Sequence, residues 1–296
     1  RRGLAPLDEM RRKAADITAN RLNQRLSTTS IPVELAEVAR TLDEMLARLQ
    51  DSFRRLSDFS SDLAHELRTP VSNLLIQTQV MLAHPRTNAA YRDVLASNLE
   101  EYDRLSRTIG DMLFLAKADH GLIVPQDEAV DLACEVSELC EFYEPLAEEK
   151  GLELRQTGSA TVPGDRLMLR RALSNLLSNA TCHAPAQSTI GIAIEQQTMQ
   201  ARVAVINRCR QAPTEPLDRL FDRFYRADPA RRDLGDGAGL GLAITRSIAR
   251  AHGGEVLVEW MASSEVEGGD IRFVLQLPLQ PFSVPGSNPH ANGNLR

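Results

Sequence analysis

At 296 residues the chain is long enough for about two domains and for at least one sizeable buried core. Hydrophobic residues at 43% and charged residues at 25% exclude wholesale disorder, and aromatics at only 4% point to long helices and aliphatic seams, not an all-β sandwich. The net charge of −6 argues against nonspecific nucleic-acid binding, which needs a surplus of Lys and Arg to neutralise phosphates. Four cysteines, Cys134, Cys140, Cys182 and Cys209, match no zinc or redox spacing, as expected in a reducing compartment.

Residues 1–30 carry a local charge of +4 in a chain that is otherwise −10. Leu7, Met10, Ala14 and Ile17 have the spacing of one short amphipathic helix there. No run approaches the roughly 20 apolar residues of a membrane span, and no signal peptide is visible. A basic start on Arg1-Arg2 instead of Met fits a piece of a longer protein, just inside a membrane helix by the positive-inside bias; a basic surface helix is the plainer alternative.

A polar stretch from Leu26 to Ser30 precedes a second helix. Its apolar residues Leu35, Val38, Leu42, Met45, Leu49, Phe53 and Leu56 are separated by 3, 4, 3, 4, 4 and 3, a heptad seam with one four-residue stutter. That helix is expected to continue to about Ala83 with a bend at Pro70. After a turn at His84–Asn88, another helix is expected from Ala89 to Ala118, with Val94, Leu95, Leu99, Tyr102, Leu105, Ile109, Met112, Leu113 and Leu115 on or near one face. Two antiparallel helices leave an apolar stripe uncovered, and a second copy completing a four-helix bundle would bury it.

A linker at Asp119–Glu128 leads into a second half of different composition. Helices are expected at Asp131–Lys150, Asp165–Cys182, Leu217–Phe224 and Leu240–Ala251, and strands at Leu152–Arg155, Thr189–Gln196, Ala201–Ile206, Glu255–Trp260 and Ile271–Pro278. This alternation reads as an α/β sandwich with the helices on one sheet face. The Pro-, Asn- and Gly-rich segment from Pro281 reads as a disordered tail.

Chemistry concentrates at few positions. His65 and Glu66 fall in mid-helix, and Thr69 shares the face of His65 one turn on. A neutral imidazole is nucleophilic at one nitrogen when a carboxylate takes the proton from the other, and Glu66 is placed for that. Asn175 and Asn179 repeat on one helix face although Asn is a poor mid-helix residue. Gly237, Gly239 and Gly241 precede a helix N-terminus, where backbone amides can approach phosphates. His84, His120, His252 and His290 read as structural or solvent-exposed, and Cys134 and Cys140 as core thiols.

The string Phe59-Ser-Ser-Asp-Leu-Ala-His-Glu-Leu-Arg-Thr-Pro-Val-Ser-Asn-Leu-Leu75 closely resembles the phosphoacceptor box of sensor histidine kinases. Asn175-Leu-Leu-Ser-Asn-Ala180 resembles that family's asparagine box, Leu220-Phe-Asp-Arg-Phe-Tyr-Arg226 its phenylalanine box, and Gly237-Ala-Gly-Leu-Gly-Leu-Ala-Ile244 its second glycine box. Pro6 and Pro32-Val-Glu-Leu35 look like the signal-relay module that precedes such kinases. Ser97–Glu101, Asp111–Ala116 and Leu167–Asn175 are similar to the copper- and silver-responsive branch.

The resemblance implies an architecture of α plus α/β: a HAMP-like relay at 1–56, a dimerising phosphotransfer hairpin at 57–120, a linker at 121–128, an ATP-binding α/β sandwich at 129–280 and a tail at 281–296. It implies His65 as phosphoacceptor, Glu66 as general base and Thr69 in the reverse, phosphatase reaction. ATP would be held by Asn175, Asn179, Asn207, Gly237, Gly239 and Gly241, with Mg²⁺ supported by Asn179 and Asn175. The implied partners are a second copy and the receiver aspartate of a response regulator, with the full-length protein in a bacterial inner membrane and this portion cytoplasmic. Two departures stand out. The first glycine box is replaced by Asn207-Arg-Cys-Arg-Gln211, which contains no glycine, and Cys182 and His183 stand where the family has a basic and an aromatic residue. Arg223, Arg226, Arg231 and Arg232 are the candidates to offset phosphate charge, and weak nucleotide affinity is expected. A second reading therefore stays open, an ATP-degenerate scaffold or phosphatase that docks the regulator.

Overall fold

A computed structural model describes residues 33–213, 215–225, 238–262 and 268–280. The short first helix, its connector, the segment 226–237 with Gly237, Arg226, Arg231 and Arg232, and the tail with His290 lie outside the described residues. The chain divides into two units, Arg1–Asn98 and Leu99–Arg296, each described by itself. Among the described residues no helix is long and apolar enough to cross a membrane.

Two long helices come first, α1 (Val33–Ala83) and α2 (Asn88–Asp119). Helix α1 continues through Pro70, whose ring offers no N–H to the Glu66 carbonyl one turn back. Along the heptad seam Val38, Met45 and Leu49 are exposed while Leu46, one position off it, is buried. The apolar residues of α2 split between two faces. Met112 and Leu115 are buried, together with the polar Asn98 and Thr108, whereas Leu95, Leu99, Tyr102, Ile109 and Leu113, at heptad spacing, form an exposed stripe. In the first unit Asn98 Nδ2 donates to Thr78 Oγ1 at 3.5 Å, and Thr78 Oγ1 in turn donates to the Leu74 carbonyl at 2.7 Å.

The second unit contains β1 (Glu128–Asp131), α3 (Leu132–Glu149), β2 (Glu153–Gly158), β3 (Thr161–Gly164), α4 (Arg166–His183), β4 (Thr189–Gln196) and β5 (Gln200–Cys209). A 3₁₀ turn (Leu217–Phe221), α5 (Gly241–Ala251), β6 (Glu255–Ala262) and β7 (Gly269–Pro278) follow. Five strands form one sheet in the order β2-β4-β5-β7-β6, with β2 parallel to β4 and the other pairs antiparallel. Alternation puts Ile190, Ile192 and Ile194 of β4, Val203 and Val205 of β5 and Phe273, Leu275 and Leu277 of β7 on its buried face. Leu169, Leu173, Leu176 and Leu177 of α4 and Ile244 and Ile248 of α5 are buried as well, each contributing about 1.5–3 kcal/mol on leaving water.

Three expectations are corrected. The linker ends in a strand: Glu128–Asp131 pairs antiparallel with Thr161–Gly164 in a two-stranded sheet that neither four-residue stretch announces by its composition. The helix expected at Leu217–Phe224 is one 3₁₀ turn ending at Phe221, because Phe224 takes a positive φ of 60° that no right-handed helix accepts. Cys134 is exposed, not a core thiol, since the buried face of α3 is carried by Leu132, Glu135, Val136 and Leu139.

Helices α3 and α4 run parallel, held by a seam of polar contacts. Tyr143 Oη meets Ser174 Oγ at 3.0 Å, and Lys150 Nζ donates to the Thr181 carbonyl at 3.1 Å. At the other end Glu135, its side chain only 3% exposed, accepts from Arg166 Nε at 2.5 Å and Arg170 Nη1 at 3.2 Å, and Glu138 pairs with Arg170. Glu135→Ala strips the buried carboxylate but leaves two arginines that reach water. A loss of about 1–2 kcal/mol, a fall of roughly 3–6 °C in thermal midpoint, is expected from a calorimetric melt.

Candidate functional site

On α1 of the first unit, His65 is exposed, Glu66 is half-buried beside it and Thr69 is exposed one turn on. At an exposed helical position the imidazole is open to an incoming group. The neighbouring Val71, Leu75 and Ile76 are exposed apolar side chains.

In the second unit α4 and α5 lie antiparallel, and the start of α5 meets the middle of α4, which brings together the asparagine box and the second glycine box. Asn175 Nδ2 donates to the Gly241 carbonyl at 3.0 Å. The N-cap position of α5 is Leu240, which has no side-chain oxygen with which to cap the first N–H groups of that helix. Gly239 is needed there: its φ is +70°, and an added Cβ would stand 3.0 Å from the Phe224 backbone. Phe224 N–H donates to the Gly239 carbonyl at 3.0 Å, so the phenylalanine and glycine boxes are stapled across the intervening segment. Asn179 is half-buried one turn after Asn175.

Asn207 ends the buried face of β5, opposite Ile271 of β7, and is 1% exposed. Its Nδ2 donates to the Arg208 carbonyl at 3.1 Å and contacts Cys209 Sγ at 3.7 Å. Its Oδ1 is buried with no hydrogen-bond partner. A buried acceptor without a donor costs about 1–3 kcal/mol, and such a group calls for a ligand N–H or a water. Strand β5 runs unbroken through Cys209 paired with Gly269, so no glycine turn interrupts it.

The last turns of α2, which belong to the same unit, touch both margins of this region. Arg171, one turn before Asn175, pairs with Asp111 and places its guanidinium 4.7 Å from the centre of the Phe114 ring. Burial pushes the Asp111 carboxyl above the usual carboxylate range against the opposing pull of Arg171. Arg223, a sequence candidate for phosphate charge, has its Nη2 2.5 Å from Asp119.

Thus Asn175, Gly239 and Gly241 come together with Asn179 on the next turn, and Asn207 supplies a buried acceptor at the end of β5. His65, Glu66 and Thr69 belong to the other unit, and Gly237 lies outside the described residues. Sequence reasoning missed Arg171. His252, read as structural or solvent-exposed, stands in the turn after α5 and is structural: 4% exposed with both ring nitrogens engaged. The contacts of Asp111 and Phe114 with Arg171 left no motif to find.

Comparison with known proteins agrees on the domains. Residues 1–51 match the HAMP domain, 55–121 the His Kinase A (phospho-acceptor) domain, and 164–281 the histidine kinase-, DNA gyrase B-, and HSP90-like ATPase. The chain is 48% identical over 275 residues to "Probable sensor protein PcoS" of Escherichia coli, covering 93% of this chain and 58% of that protein. To "Sensor histidine kinase CusS" of Escherichia coli strain K12 it is 44% identical over 278 residues, 94% of this chain and 57% of the relative. The chain therefore spans less than three fifths of the length of these two relatives. Among solved structures, histidine kinase ThkA in complex with response regulator protein TrrA shares the fold, with a TM-score of 0.56 at 22% identity, over 84% of this chain and 67% of that one.

Proposed function

This chain belongs to the sensor histidine kinases, and from that membership we propose that it phosphorylates its own His65 from ATP and passes the phosphoryl group to an aspartate of a response regulator. One nitrogen of His65 attacks the γ-phosphorus while the bond to the β,γ-bridging oxygen breaks and ADP leaves. Glu66 takes the proton from the other ring nitrogen. A phosphoramidate protonated on its ring is a good leaving group, so the histidine is a relay, and Thr69 would orient water in the reverse, phosphatase direction. The observation that carries the reading is the pairing of Asn175 with Gly241 beside an uncapped helix N-terminus, with a buried orphan acceptor at Asn207.

In this reading the adenine amino group donates to Asn207 Oδ1, the N–H groups at Gly239–Gly241 receive phosphate oxygens, and Asn175 and Asn179 support Mg²⁺. The amide oxygens fit that ion, which prefers hard oxygen ligands and keeps phosphate oxygens and waters in its shell. When bound, Mg²⁺ would neutralise charge developing on the β- and γ-phosphates. Asn207→Ala is expected to weaken nucleotide binding about tenfold, roughly 1.4 kcal/mol, while shifting the thermal midpoint of the empty protein little, because relief of the orphaned Oδ1 offsets loss of the Nδ2 bond to the Arg208 carbonyl. Calorimetric titration together with a melt checks both halves.

The proposal extends to modules at 1–56, 57–120 and 129–280, to a dimer through the exposed stripe of α2, to a membrane tether in the full-length protein and to the heavy-metal sensor branch. Identity of 44–48% to PcoS and CusS and the HAMP match support these last two. A second reading, a regulator-docking scaffold or phosphatase with a decayed ATP site, draws support from the unbroken run of β5 where the family has glycines. Incubation with γ-labelled ATP and Mg²⁺, followed by a receiver domain, separates them. Acid-labile, alkali-stable label that moves to the receiver is expected of the kinase; regulator binding with no label at any nucleotide concentration would establish the scaffold.

A further inference from the structure

We propose that His252 is a positioning residue of the nucleotide site, a pin that sets how far α5 slides along α4 and so where Gly239–Gly241 stand against Asn175 and Asn179. The inference rests on the nucleotide-binding reading above but concerns a residue that touches no ligand.

Only three polar contacts are described between the two helices. Near the site Asn175 Nδ2 reaches the Gly241 carbonyl at 3.0 Å. In the middle Thr245 Oγ1 lies 3.5 Å from the Ala172 carbonyl, but its single proton has a better acceptor in Gly241 at 2.9 Å. At the far end the Asp165 N–H donates to His252 Nε2 at 3.0 Å. The two firm pins stand about 15 Å apart along either helix at 1.5 Å rise per residue. One of them is an asparagine expected to work on the nucleotide, so His252 is the pin free of chemistry.

The ring is held in one state and place. Its Nδ1 donates to the Ile248 carbonyl at 2.8 Å, which leaves the Nε2 lone pair for Asp165. Burial pushes its pKa below the ordinary histidine value, so it stays neutral and keeps that acceptor. Asp165 is the N-cap of α4, its carboxylate accepting from Met168 N–H at 3.0 Å, so the ring grips the helix at its first turn. Gly164 completes the socket: a Cβ there would lie 2.7 Å from ring Cδ2. Packed helices shift against each other in discrete steps, and loss of an end pin is felt at the other end.

Four full-length chains test this: wild type, His252→Gln, which keeps an acceptor for Asp165, His252→Phe, which keeps volume but neither hydrogen bond, and Gly164→Ala, whose Cβ crowds the unaltered ring at 2.7 Å and also Leu169 Cδ1 at 2.9 Å. Mg²⁺ with a non-hydrolysable ATP analogue is titrated by calorimetry well below each thermal midpoint, and amide hydrogen exchange at 239–243 is measured without nucleotide. His252→Gln is expected to bind within about threefold of wild type, and the other two at least about tenfold more weakly, with exchange at 239–243 accelerated in both. Folded His252→Phe or Gly164→Ala with wild-type exchange there would overturn the proposal, and Gly164→Ala decides alone if the phenylalanine chain does not fold. If the wild type binds no nucleotide, the functional reading fails, and the exchange measurement still judges the pin.

Discussion

Replacing His65 with glutamine is expected to cut phosphoryl incorporation from Mg²⁺–ATP by at least about a thousandfold, to background, because the variant lacks the nucleophile. Glutamine keeps the length and polarity of the side chain on an exposed helical position, so folding should not suffer. Nucleotide affinity should be unchanged, since the binding groups belong to the other unit. Incorporation at the wild-type rate in His65→Gln would mean that a different side chain is the acceptor.

The second large effect concerns the two asparagines of α4, and here the structure distinguishes positions that look alike in sequence. Asn179→Ala is expected to weaken Mg²⁺-dependent nucleotide binding at least about a hundredfold, about 2.7 kcal/mol, with almost no change in thermal midpoint. Asn175→Ala removes the bond to Gly241 as well, so it should lose affinity and also loosen the start of α5. Affinity that stays intact in Asn179→Ala, measured by titration with and without Mg²⁺, would show that the metal is held elsewhere.

Much of this architecture is legible in the sequence. Helix formers running up to the turn at His84-Pro85 place the end of α1 near Ala83, and alternating isoleucines fit the bounds of β4 at Thr189 and Gln196. The phosphoacceptor and asparagine boxes were legible as strings since each lies within a few consecutive residues. What stayed hidden depends on distant partners. The β1–β3 pair is made by Pro163 and Ala129 on either side of a whole helix, with no alternation to announce it. The left-handed Phe224 is tolerated only because Gly239 accepts its N–H across the intervening segment. A histidine before Gly253-Gly254 looks like a turn residue in sequence; its burial follows from the Gly164 backbone that leaves room for the ring.

The orphan oxygen of Asn207 has a similar origin. The missing glycine box was evident from the string Asn207–Gln211, but the consequence was not. In the fold β5 continues to Cys209, the Asn207 Nδ2 is satisfied within the strand end, and Oδ1 alone is left for a ligand. An uncharged acceptor in that place gives a weaker hold than a carboxylate, which is why the affinity measurements carry weight here.

The central claim is that His65 becomes a transient phosphoryl carrier. Its most direct test is to incubate the intact chain with Mg²⁺ and ATP, quench at alkaline pH and locate the phosphate by tandem mass spectrometry. The account predicts phosphate on the His65 imidazole and a matching release of ADP; nucleotide binding and turnover with His65 unmodified would contradict it.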